Sequence, residues 1–157
     1  MSRSFTVRTN HTEQLTIRDL LTSLHELKDI EKYVDIKKAS IAKIINDKCT
    51  NITDDSLDTS LKDGYSNFLI DGGNIFITFI DTSYDESYKN FYLVESRHLV
   101  GIGRDLFVAV ASALAAVTDG SISSCDGAWG DPDERSGSKL WNDYLNCQRE
   151  LDIKKYS

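Results

Sequence analysis

Apolar side chains recur at helical intervals early in the chain. In TIRDLLTSLHELKDI, residues 16–30, the positions Ile17, Leu20, Leu21, Leu24 and Leu27 share one helix face. Thr16 stands where an N-cap belongs, and Asp19 three residues later completes a capping box. A second helix is expected from Asp35, with Ile36, Ala39, Ile41, Ile44 and Ile45 as its apolar side. Before both, SFTVRT (residues 4–9) predicts a short edge strand. Residues 50–66 are polar and acidic and predict a loop with one helical turn. The period then shortens. NFLI and NIFITFID bracket Asp71-Gly72-Gly73, the signature of a hairpin. NIFITFI is apolar on both alternating faces, which predicts a central strand covered on both sides. NFYLVES (residues 90–96) adds another strand.

Residues 104–118 are Ala-rich and apolar nearly all round, the pattern of a buried central helix, closed by Asp119-Gly120. SISSC predicts a short final strand. Leu140, Trp141, Tyr144, Leu145 and Gln148 predict a C-terminal helix over 137–151 with an aromatic face. The expected architecture is one α+β domain over 1–157. It has two N-terminal helices, an antiparallel meander of about four strands, one buried Ala-rich helix on the sheet and a C-terminal helix.

Composition agrees with a packed domain: 40% of the 157 residues are hydrophobic and 10% aromatic. Charge is unevenly spread. Residues 53–133 carry 4 basic and 14 acidic side chains, whereas residues 1–52 carry 9 basic and 7 acidic ones. An acidic centre argues against nucleic acid as partner, because phosphate binding needs clustered Lys and Arg. It suits a basic protein partner, or simply solubility. The N-terminus MSRSFTVRTN has no secretory h-region, and LFVAVASALAAV (residues 106–117) is too short to span a bilayer. Three cysteines without CxxC spacing read as free thiols in a reducing compartment. A cytoplasmic location is therefore expected, with no membrane partner.

Chemistry-bearing motifs are weak. Gly101-Ile102-Gly103 precedes a helix, but the third position of a GxGxxG motif is Leu106, so the glycines more simply ease a tight turn. His11, His25 and His98 show no ligand spacing. Cys125 with His98 is a conceivable nucleophile and base, yet Asp126 beside the thiol opposes its ionisation. A calcium loop begun at Asp131 places Ser136 and Asn142 where glycine and glutamate are required. No catalytic residue, metal site or cofactor is expected.

One resemblance adds to this reading. The segment 91–129 runs strand, turn, an Ala-rich helix containing VASALAAVTDG, a small-residue strand and DGAW. It resembles immunity proteins encoded beside contact-dependent growth inhibition toxins and related bacterial polymorphic toxins. The resemblance covers about a quarter of the chain and implies a non-enzymatic protein. Such a protein binds the C-terminal domain of its cognate toxin, often a nuclease with a basic cleft, and occludes it. The acids Asp54, Asp55, Asp58, Asp81, Asp85 and Glu86 would form the partner face, and Trp129 would be an aromatic anchor rimmed by Asp126, Asp131 and Asp133. Trp129 packed in the core is the competing account. A non-catalytic adaptor for another basic partner and a small Cys/His enzyme remain the other function classes. The oligomeric state is left open.

Overall fold

The computed structural model describes residues 3–10, 14–71, 73–81, 90–96, 101–124 and 136–156. Three α-helices and seven strands run along the described chain: β1 (Arg3–Thr9), α1 (Ile17–His25), β2 (Ser40–Ile45), β3 (Lys48–Asn51), β4 (Tyr65–Ile70), β5 (Gly73–Asp81), β6 (Asn90–Ser96), α2 (Ile102–Thr118), β7 (Ser121–Ser124) and α3 (Gly137–Tyr156). The strands form one seven-stranded sheet in the order β3-β2-β4-β5-β6-β1-β7, and every neighbouring pair is antiparallel. The α+β class holds. Several of its expected details do not.

First, no α-helix starts at Asp35. Asp35 caps a single 3-10 turn, Ile36–Lys38, and the chain then extends into β2. Asn46 and Asp47 both have positive φ, at 50° and 64°, and close the β2–β3 hairpin as a two-residue turn. Their right-handed twist matches the flanking strands. Second, the sheet has seven strands rather than about four. β2 and β3 are the unforeseen pair. β1, expected at an edge, lies inside the sheet, with β6 on one side and β7 on the other.

The Asp71 hairpin joins β4 to β5, with Ile70 opposite Gly73. β5 is central, as expected, but it is fully covered on one face only. Ile75 and Ile77 are completely buried, while Asn74, Phe76 and Thr78 on the other face are half-buried. On that second face Tyr65 and Leu69 of β4 are 50% and 51% exposed. The helices lie on the first face.

α2 is the pillar of the molecule. Every position from Leu106 to Ala115 is buried. The helix packs on β1, β5, β6 and β7 and is flanked by α1 and α3. Alanine and serine permit that close approach. Ser23 of α1 donates to the Ala113 carbonyl at 2.8 Å. A Cβ at Gly137, the first residue of α3, would collide with the Ser112 carbonyl. Phe5 of β1 stacks on Phe107, with ring centroids 4.9 Å apart.

The glycines at the start of α2 have structural roles. Gly101 caps the helix with φ 53°, a conformation that favours glycine. Gly103 faces Gly73, where a Cβ on Gly73 would stand 2.5 Å from the Gly103 Cα. Two backbones meet there because neither residue has a side chain. α1 begins with the expected capping box: the Asp19 amide donates to Thr16 Oγ1 at 3.2 Å, and the Thr16 amide donates to Asp19 Oδ2 at 2.9 Å.

α3 docks through Leu140, Trp141 and Tyr144, all buried. Trp141 Nε1 donates to the Lys28 carbonyl at 2.8 Å. The Tyr144 hydroxyl donates to Asp105 of α2. Burial, reinforced by that carboxylate, pushes the phenol far above its ordinary range. Tyr144 is therefore a fixed neutral donor that ties α3 to α2.

Candidate docking cleft and acidic turn

Asp54, Asp55 and Asp58 are the expected partner residues that the structure brings together. All three are exposed. Asp54 and Asp55 open the 3-10 turn Asp54–Ser56, and Asp58 follows it. The turn is closed locally by the Thr53 amide donating to Ser56 Oγ at 2.8 Å. The segment is also stitched to the first turn of α1. The Arg18 and Ile17 amides donate to the carbonyls of Leu57 and Thr59 at 2.9 and 3.0 Å, and the Leu61 amide donates to the Leu15 carbonyl at 2.9 Å. The first two of these bonds satisfy donors that a helix start leaves unpaired. The acids therefore sit on a backbone held to a helix rather than on a loose loop. Asp58 pairs with Arg18 Nε at 3.0 Å, an exposed contact of small energetic weight.

Asp81 is the last residue of β5, opposite Asn90 of β6. Lys62, four residues past Asp58, places its ammonium 5.1 Å from the Phe79 ring, two residues before Asp81. The chain leaving the acidic turn thus reaches the strand that carries Asp81. Asp85, Glu86, Asp126, Trp129, Asp131 and Asp133 lie outside the described residues, as do His98 and Cys125.

Beside the acidic turn opens a cleft of about 720 Å³. Leu21 of α1, Ile36, Ile41 of β2, Ile52 and Leu57 give it apolar walls, while His25, Lys37, Thr53 and Asp54 bring polar groups to it. It exists because β2 and β3 carry the sheet past the end of the helical layer. A second cavity of about 480 Å³ borders it across Ile52 and is lined by Lys43, Lys48, Thr50, Ser56 and Thr59 among others. Reading 35–45 as a helix hides both cavities. The available signal was Asn46-Asp47 between an Ile-rich run and KCTN, which marks a hairpin turn.

Lys43 is the most unusual residue of this region. It is a lysine at a core-facing position of β2, only 3% exposed, and its Nζ donates to Ser66 Oγ on β4 at 3.0 Å. Burial lowers the amine to about 8 from 10.5, and the Asp63 carboxylate offsets part of that shift. The folded protein disfavours the charged form, whereas the unfolded chain holds its proton up to about 10.5. Between these values the unfolded state binds more protons, so this group raises stability as pH climbs from about 8 to 10.5. Its penalty is complete below that window and absent above it. Lys43→Met should therefore gain about 1–2 kcal/mol at neutral pH and lose that advantage through the window, measured as the difference in urea midpoints between variant and wild type. Parallel curves for the two proteins would remove the charge penalty from the account.

Among the described residues no cluster of three or more His, Cys, Asp or Glu is placed to hold a metal ion. No helix among them is long and apolar enough to cross a membrane. Cys49 is exposed on β3 with a free thiol. No family model, curated protein or solved structure matches this chain.

Proposed function

We propose that the protein is an immunity protein that binds the C-terminal domain of a cognate bacterial toxin in the cytoplasm and neutralises it by covering its active site. The observation that carries this reading is the acidic turn beside an open apolar cleft. Asp54, Asp55 and Asp58 project from a backbone anchored to α1, and Asp54 also lines the cleft. This pairing suits a basic protein that inserts an apolar side chain and surrounds it with Lys or Arg. The negative charge of the central segment would steer such a partner in. The likeness of 91–129 to toxin-neutralising proteins gives the partner its class. In this reading the protein catalyses nothing and acts by stoichiometric occupancy.

The test is direct. The purified protein is mixed with the toxin domain encoded next to it, and binding is followed by calorimetry and by the toxin's activity. A one-to-one complex of nanomolar affinity or tighter, with toxin activity abolished at equivalence, is the expected result. Absence of any complex at micromolar concentration in low salt would overturn the proposal. An adaptor for some other basic protein would then be the better reading.

A further inference from the structure

β3 is an open edge of the sheet. Its four residues are all exposed, β2 lies on one side, and no described strand lies on the other. The Ile52 amide donates to the Ile41 carbonyl at 2.8 Å. Backbone groups alternate in direction along an antiparallel strand, so Thr50 and Lys48 also turn theirs to β2, opposite Lys43 and Ile45. Cys49 and Asn51 turn theirs outward, and no hydrogen bond among the described residues reaches them from that side. This outward row is short. Asp47 has a left-handed φ of 64° in the turn, and the Thr53 amide is taken by Ser56 Oγ. An edge that presents unpaired amides and carbonyls is a template for another strand. We propose that the occupant is β3 of a second copy of this chain, laid antiparallel across a two-fold axis at Thr50.

That axis sets Cys49 opposite Asn51 of the second copy, and Asn51 opposite its Cys49. Each such pair exchanges both of its backbone bonds, so every outward amide and carbonyl of β3 finds a partner. An axis at Cys49 would set Asn51 against the left-handed Asp47, and an axis at Asn51 would set Cys49 against the occupied Thr53 amide. Charge favours the same register. Lys48 falls opposite Ile52 of the second copy, and the extended Thr53 carries that chain on to Asp54. A diagonal neighbour in a sheet lies within reach of a long side chain. Lys48 therefore meets Asp54 of the second copy, twice by symmetry. A lysine that deters a foreign strand at this edge finds its acid on the chain's own copy. The two Thr50 side chains face each other at the centre, a favourable cross-strand pair.

Sedimentation of the full chain in the presence of a thiol reductant tests this without the toxin domain, so its outcome is independent of the proposed function. A reversible dimer should form, with a dissociation constant of about 10–100 μM, in keeping with a small interface. A chain that stays monomeric at ~500 μM would overturn the proposal and leave the edge to a strand of another protein. Asn51→Pro removes an outward amide and spares the ladder to β2, as a proline on an edge strand can. It should leave the protein monomeric over the same range, and an undiminished dimer would overturn the β3 contact. Lys48→Glu should weaken the dimer ~10-fold at low salt, because both symmetric pairs turn repulsive. Adding Asp54→Lys to Lys48→Glu should restore association, and failure to restore it would overturn the register. Urea midpoints check that each variant is folded. Should Asn51→Pro unfold, the Lys48 and Asp54 exchange decides alone.

Discussion

Trp141→Ala should lower the unfolding free energy by about 4 kcal/mol, seen as a large fall in the denaturant midpoint. The side chain is 1% exposed and sits where α3, α2 and the turn after α1 meet. Its ring lies 5.7 Å from Tyr144 in a stacked arrangement and 6.1 Å from Tyr33 edge-on. Alanine removes both contacts and leaves a cavity that the surrounding backbone cannot close. It also strips the Lys28 carbonyl of its indole donor, a bond of 2.8 Å between residues 113 apart in sequence. Trp141→Phe separates the two losses. It keeps most of the ring and should cost about 1–2 kcal/mol, chiefly the hydrogen bond. If Trp141→Ala fell within about 1 kcal/mol of wild type, α3 would not be docked through Trp141.

Trp141 is not the tryptophan that the sequence brings to attention. Trp129, between glycines and acids, looks like the aromatic to watch, and it lies outside the described residues. Trp141 was readable as part of an aromatic helix face, and that face is the buried one. α1 and α2 were legible for good physical reasons. A capping box is a local signal, and a helix apolar all round has no stable place except between layers. The hairpin at Asp71 was equally local.

β2 was not legible, and the reason is Lys43. As a strand, residues 41–45 turn Ile41, Lys43 and Ile45 to one face, so a charged residue stands where alternation demands an apolar one. Helical spacing of Ile36, Ile41, Ile44 and Ile45 then fits better than it should. The residue that spoiled the pattern is the one the structure marks as unusual. Sequence patterns fail where a buried polar group replaces a core residue, and such positions are often sites. The cleft was invisible for a related reason. Its walls come from α1, the 36–38 turn, β2 and the 51–57 segment, and no single stretch announces that meeting. The acids of 54–58 were legible as charge, but not their attachment to α1.

That attachment determines what reversing the acids should do. The triple variant Asp54→Lys, Asp55→Lys, Asp58→Lys should fold normally, because the three side chains are exposed and the turn is held by backbone bonds. Only the Asp58–Arg18 pair is lost, and an exposed pair contributes little. The effect should appear in binding of the toxin domain. Association at low salt should slow by ~100-fold, since a field that gathered a basic partner now repels it over the last Debye length. Dissociation should change less, because rim charges act mainly on encounter. Raising the salt should bring the association rates of variant and wild type together. A control is needed, since the triple swap also moves the net charge from −7 to −1. Glu31→Lys with Asp119→Lys alters exposed acids in the turn after α1 and at the end of α2. If the effect per charge were the same in both variants, the field of the whole molecule would do the steering and the acidic turn would not be the partner face. A several-fold greater effect per charge at 54, 55 and 58 would place the partner over the cleft.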